Sequence, residues 1–170
     1  LIAAINLNMF NNNCKRVVMA NIAQTVNVLQ SLLLTEGAKT VKTPTFYVFK
    51  MFKDHQEGMQ INAEIEDTSI TKGDITIPQI SISASEKDNV LTVTLSNASL
   101  EDDATLTINT GRNVTGVSGR ILSGTINAIN SFEEPDTVFD TDFLDYKHVG
   151  EIVTLTIPAA SVISLHINYK

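Results

Sequence analysis

Ile22, Val26, Leu29 and Leu33 fall at i, i+4, i+7 and i+11, a spacing that sets four apolar side chains on one face of a helix. The run before it, "LIAAINLNMF" at residues 1–10, reads as buried helix. The run after Gln30, "SLLLTEG", is short, continuously apolar and closed by Gly37, which predicts a strand buried on both faces as in a parallel sheet. In "KTPTFYVFKMFKDHQ", Thr43 suits an N-cap and Pro44 the first helical position, where a missing N–H costs nothing. Val48, Phe49, Met51 and Phe52 then share an apolar face. Helix, helix, buried strand, helix is the rhythm of an α/β barrel or doubly wound sheet, whose layers need partners outside these residues.

From about residue 58 the period changes to two. Ile75 and Ile77 share one parity and Ile80 and Ile82 the other, so a bulge or break at Pro78 is expected to keep all four on the core side. Leu91, Val93 and Leu95 alternate with Thr92 and Thr94, Leu106 and Ile108 repeat the pattern, and Val153, Leu155 and Ile157 precede a last strand in "SVISLHINYK". Polar turns such as "SEKDN" and "TGRN" separate these short strands, which together predict an antiparallel β-sandwich. The expected fold is therefore mixed α and β, with residues 1–56 and 57–170 as two parts of different pattern.

The 170 residues are 43% apolar and 18% charged, enough for one ordinary domain or one domain and a piece of another. The formal charge of −7 is uneven: six Lys/Arg face three acids up to Glu57, and six face sixteen beyond it. So acidic a second part is a poor surface for nucleic acid or anionic lipid, and neither partner is expected. Residues 1–10 are too short and too rich in asparagine to span a bilayer, and they lack the basic start and cleavage site of a signal peptide. One cysteine, Cys14, excludes an internal disulfide framework, and no Cys/His spacing resembles a zinc site. The compartment stays open. Because the chain begins without Met, Leu1 is expected to be an internal position of a longer parent.

Four stretches, in order, carry something more specific: "RVVMANIAQTVNVLQSLLLTEG", "TPTFYVFKMFKDHQ", "VSGRILSGTINAINSFEEPDTV" and "IPAASVISLHI". Together they resemble the C-terminal third of the family 51 glycoside hydrolases, the α-L-arabinofuranosidases, most strongly over residues 1–56. The resemblance implies a parent with a TIM barrel that carries the chemistry and a jelly-roll-like β-sandwich packed against it. Residues 1–56 would be the last helices and the eighth strand of the barrel, and residues 57–170 the sandwich. It also implies a retaining hydrolase for terminal arabinofuranosyl residues of arabinan or arabinoxylan, with two glutamates ~5 to 5.5 Å apart. Both would lie upstream, so this chain is expected to hold no catalytic residue, no cofactor and no metal, and to act as scaffold beside the upstream barrel. The family's assembly into oligomers makes a homo-oligomer a possible partner state.

Gln24 of "NIAQ" is the one substrate-binding residue the resemblance carries over, as a ligand of the arabinose. A carboxamide donates and accepts at once and adds no charge, which suits a sugar hydroxyl; the alternative is an ordinary helix-surface or capping glutamine. Glu36 reads as a solvated turn residue before Gly37 rather than a strand-end carboxylate, and His55 as a polar group at a helix C-terminus. His148 and His166 have no evident Ser or Cys partner. "DTDFLD" at 140–145 lacks the glycine and distal Glu of a calcium loop and reads as a solvated acidic loop. "NAS" at Asn97 and "NVT" at Asn113 match the glycosylation pattern but carry no weight.

The rival function is a non-catalytic carbohydrate-binding or adhesion sandwich. Such modules use aromatic platforms, and this chain has no Trp and no aromatic residue between Lys53 and Ser131. If residues 1–56 are barrel pieces, Phe46, Phe49 and Phe52 need cover worth about 1.5 to 3 kcal/mol each, so this segment is expected to pack on the sandwich or across a dimer contact.

Overall fold

The computed structural model describes residues 1–66 and 69–170. Helix α1 (Ile2–Asn12) is followed by an irregular stretch and a hairpin of β1 (Leu33–Glu36) and β2 (Lys39–Lys42). Helix α2 (Pro44–Phe52) runs into a 3-10 turn at Lys53–His55. Strands β3 (Met59–Ile61), β4 (Ser69–Lys72), β5 (Ile75–Pro78), β6 (Ile80–Lys87), β7 (Val90–Asn97), β8 (Ala104–Asn109) and β9 (Val114–Leu122) come next. The last strands are β10 (Thr141–Asp142), β11 (Tyr146–Val149), β12 (Ile152–Ile157) and β13 (Ser161–Tyr169).

Two antiparallel sheets form the sandwich: six strands in the order β10-β9-β13-β7-β6-β3, and three in the order β11-β12-β8. The period of two decides which side chains meet between them. Leu91, Val93 and Leu95 of β7 and Ile163, Leu165 and Ile167 of β13 face Val153, Leu155 and Ile157 of β12, all buried. Close packing leaves no room at Gly119, where a Cβ would lie 2.9 Å from Leu165 Cδ2 and 3.2 Å from Phe143 Cβ. Gly119→Ala is expected to destabilise the chain by about 1 to 3 kcal/mol, the usual cost of overpacking, and a denaturant midpoint equal to wild type would refute this.

The other face of the six-stranded sheet carries Ser81, Ser83, Ser85, Thr92, Thr94, Ser96 and Ser164, yet it is not solvent-facing: Thr94 is 0% exposed. A helical layer covers it. Asn8 of α1 donates to Ser81 Oγ at 3.1 Å and accepts from Ser83 Oγ at 2.8 Å and Thr94 Oγ1 at 2.7 Å. Asn11 donates to Ser83 Oγ at 3.1 Å and Asn12 to the Ile82 carbonyl at 2.8 Å. Of the two asparagines that interrupt the first apolar run, Asn8 is thus a docking group while Asn6 bonds back to Ile2 of its own helix, and Asn11 and Asn12 dock just beyond the run, because buried hydroxyls need partners. Beside them a second apolar core joins Ala4 and Leu7 of α1 and Val48, Met51 and Phe52 of α2 to Leu122, Val138 and Val162. Phe52 is buried there, with Phe46 and Phe49 partly covered, so the first 56 residues do pack on the sandwich.

Thr43 caps α2 as expected, accepting from the Phe46 amide, with Pro44 at the first turn. Three expectations are corrected. No helix spans residues 22–33; "SLLLTEG" forms an antiparallel hairpin strand rather than a parallel one buried on both faces. The chain does break after Pro78, but Ile75 and Ile77 lie exposed on the separate β4–β5 hairpin. Once those strands leave the main sheet, their parity no longer refers to its core.

Candidate functional site

Gln24 sits in the irregular stretch between α1 and β1 and is exposed. The helical spacing around it fails for a local reason and a tertiary one. Gln24, Asn27 and Gln30 have φ of 56°, 56° and 61°, and each left-handed residue both interrupts a right-handed helix and costs about 1 to 2 kcal/mol outside glycine. Asn tolerates that region better than Gln, because its short amide bonds locally. Half of the apolar stripe also stands uncovered: Val26 is 42% and Leu29 95% exposed.

What holds the stretch is hydrogen bonding to its successor in the chain. The Thr25 carbonyl accepts from the amides of Leu32 at 3.0 Å and Leu33 at 3.1 Å, and the Asn27 amide donates to the Leu33 carbonyl at 3.1 Å. The Asn27 side chain closes on Thr35, accepting from its amide at 2.7 Å and donating to its Oγ1 at 2.9 Å and carbonyl at 3.2 Å. Thr43 then ties the hairpin to the helix, its hydroxyl donating to the Ser31 carbonyl at 2.7 Å. Gln24 is therefore an exposed amide on a loop that is irregular but stitched on its C-terminal side.

The other candidates fall elsewhere. Glu36 is exposed in the β1–β2 turn beside Gly37, whose φ of 58° suits glycine, as the solvated-turn reading expects. His55 is not a mere end cap. Its Nδ1 lies 2.7 Å from Ser85 Oγ and its Nε2 2.9 Å from Thr94 Oγ1. Burial lowers its pKa to about 4; Asp54 opposes the shift and His166 adds to it. Thr94 gives its proton to Asn8, so it accepts from Nε2–H, and Nδ1 accepts from Ser85. With a hydroxyl rather than a carboxylate behind the ring, Ser85 and His55 form a structural clasp and not a nucleophile pair. His166 meets Asp54 at 3.1 Å, and His148 is exposed on β11.

The acidic run 140–145 is not uniformly solvated, which corrects another expectation. Asp142 and Asp145 are exposed, but Asp140 is 5% exposed and binds Lys50 Nζ at 2.9 and 3.0 Å and Arg120 Nε at 2.9 Å. Burial pushes its carboxyl pKa up, yet the hydrogen bonds and charges of Lys50 and Arg120 outweigh that and hold it below the usual range. Asn97 is fully buried, donating to the carbonyls of Asp102 and Ile157, so it is no glycosylation acceptor.

A cleft of about 710 Å³ opens between the edge strands β3 and β8, floored by Ile61, Ile82, Leu106 and Ile108. At its mouth Arg112 lies over the Tyr169 ring at 3.9 Å and pairs with Glu86. No residue of the Gln24 loop lines it.

Sequence reasoning singled out Gln24 as a candidate and did not reach the Asn27 clasp, the Asp140 ion pairs or the partners of His55. The signal for Asn27 was present in a polar residue inside an apolar helical pattern; the other two join residues 20 to 90 positions apart and had none.

These elements define a class: an antiparallel β-sandwich whose polar outer face is covered by two helices, which flank a stitched loop bearing an exposed amide. The chain belongs to the alpha-L-arabinofuranosidase C-terminal domain family, whose profile matches residues 1–161. An intracellular exo-alpha-L-arabinofuranosidase of Bacteroides ovatus is 37% identical over 171 aligned positions, which cover 98% of this chain and 33% of the relative. The crystal structure of the GH51 arabinofuranosidase from Xanthomonas axonopodis pv. citri superposes with a TM-score of 0.93 at 32% identity, over 98% of this chain and 34% of that one. The family 51 enzyme from Bifidobacterium longum has the same fold, with a TM-score of 0.80 at 23% identity over 97% and 35% of the two chains. This chain thus spans about a third of the length of these relatives.

Proposed function

We propose that this chain is the C-terminal part of an α-L-arabinofuranosidase, a retaining glycoside hydrolase that removes terminal arabinofuranosyl residues from arabinan or arabinoxylan. The observation that carries this is the match of nearly the whole chain to one third of relatives bearing that name. The TIM barrel and its catalytic glutamates lie upstream: the strands within residues 1–56 form an antiparallel hairpin, not the eighth barrel strand expected from the sequence, and both helices there pack on the sandwich formed by residues 57–170. Support for an absent neighbour comes from the apolar surface of the first part, where Ile2, Met9 and Leu29 are exposed and the exposed Val18 and Met19 line a hollow of about 490 Å³. Arabinose release from an aryl α-L-arabinofuranoside by the parent, with none by this chain alone, is the expected result. Activity in this chain alone would overturn the placement of the catalytic pair.

Gln24 is the sugar ligand in this reading. Its backbone supports that role: Gln24 holds a left-handed conformation that glycine would adopt at less cost, and such strain clusters at ligand-binding sites. Gln24→Ala in the parent is expected to lower kcat/KM about tenfold or more, the scale of one substrate hydrogen bond. Gln24→Gly is expected to lose as much activity while stability rises by up to about 1 kcal/mol. Unchanged kinetics in both variants would remove Gln24 from the site.

The rival reading, a carbohydrate-binding or adhesion sandwich, draws less support. Phe143 is buried against the partly buried Tyr146, with ring centroids 6.1 Å apart, so neither offers a free platform for a sugar face.

A further inference from the structure

We propose that Asn27 is a positioning residue, fixing the Gln24 amide for sugar by clamping its loop onto β1; this rests on the reading of Gln24 as a substrate contact. Three facts converge on Asn27. Its own backbone is left-handed, a conformation Asn adopts more readily than most residues. Its side chain satisfies the amide, carbonyl and hydroxyl of Thr35 at once, at 2.7, 3.2 and 2.9 Å. Its backbone amide reaches the Leu33 carbonyl two residues after Thr25 has accepted from Leu32 and Leu33, so the strand holds the loop on both sides of Val26.

Gln24 stands directly before the first of these anchors. Its side chain is exposed and makes no hydrogen bond among the described residues. The direction of its amide therefore follows from where the Thr25–Asn27 turn is held. Glycine at position 27 would keep the left-handed backbone and lose the clamp. Aspartate would keep the acceptor for the Thr35 amide and lose both donors. A misdirected contact group costs catalytic efficiency without unfolding anything, because the reacting geometry tolerates little displacement. Asn27 is exposed and outside both apolar cores, so this role predicts an effect on kinetics out of proportion to any effect on stability.

The test is a double-mutant cycle in the full-length parent, with kcat and KM measured on an aryl α-L-arabinofuranoside. Asn27→Gly is expected to lower kcat/KM about fivefold to tenfold with the melting temperature near wild type, and Asn27→Asp to recover part of that loss. The Gln24→Ala, Asn27→Gly double variant is expected to be no worse than Gln24→Ala alone, since a positioning residue has nothing left to position. If the two losses multiply, or Asn27→Gly leaves kcat/KM unchanged while Gln24→Ala lowers it, Asn27 does not act through Gln24 and the proposal falls with the Gln24 reading intact. If Gln24→Ala itself changes nothing, the Gln24 reading fails and this one with it. Should Asn27→Gly not fold, Asn27→Asp serves the same cycle with a smaller expected loss.

Discussion

Urea titrations of this chain between pH 7 and pH 4 are expected to show a loss of about 3 kcal/mol in stability that His55→Gln largely abolishes. The imidazole bridges the 3-10 turn and the outer face of the sheet, accepting from Ser85 and donating to Thr94. Taking up a proton would place a charge in a largely desolvated spot and force the Ser85 hydroxyl to stop donating. Hence the folded value is about 4, against 6.5 for a free histidine. A displacement of that size corresponds to about 3 kcal/mol at ~1.4 kcal/mol per unit. Because the folded pKa is depressed, the unfolded chain binds the proton first. The contribution is whole above pH 6.5, falls as pH drops toward 4, and is gone below it. His55→Gln should be less stable at pH 7 and nearly flat over the same range. A wild-type profile that is already flat between pH 6.5 and 4 would show that His55 is not held neutral.

Asp140→Asn is the other large effect, expected to cost about 3 kcal/mol at pH 7. Asp140 is the buried member of an ion-pair group that joins α2, through Lys50, to β9, through Arg120. An amide of the same shape would turn one acceptor into a donor facing two cations. Breaking a buried pair by removing one partner costs roughly 3 to 5 kcal/mol, and the lower end applies because the side chains of Lys50 and Arg120 are 48% and 38% exposed and can rehydrate. Asp142→Asn provides the control: that carboxylate also meets Arg120 but stands in solvent, and exposed pairs are worth about 1 kcal/mol or less. Equal midpoint shifts for the two variants would sink the distinction. The depressed carboxyl pKa of Asp140 adds a second check: its contribution is present above the ordinary value of 3.8 and is lost as pH falls below it, on the acid side of the His55 range.

The stretch around Gln24 shows how a pattern can be specific and still mislead about local structure. Ile22, Val26, Leu29 and Leu33 have helical spacing, yet the loop they occupy is left-handed at three positions and pinned by Asn27 to Thr35. The identity of the motif pointed to the family, whereas its hydrophobic period did not determine the conformation, because an apolar stripe stabilises a helix only where something covers it. The alternation of Leu91, Val93 and Leu95 with Thr92 and Thr94 was read without that difficulty. Both faces of a strand have fixed direction, and the inner face alone is apolar.

By itself the sequence determined the alternating strands that carry Leu91–Leu95, Leu106–Ile108 and Val153–Ile157 with their inward faces, the capped start of α2 and the family. These follow from side-chain periodicity, from the chemistry of a Thr-Pro pair and from quoted motifs, all properties of residues close together in the chain. Only the tertiary structure decided that the Ser/Thr face of the large sheet lies under helices, that the asparagines of α1 dock there, and that His55 and Asp140 are buried with partners far along the chain. Burial and pairing depend on what another part of the chain brings alongside, and the same polar residue is solvated or desolvated according to that neighbour.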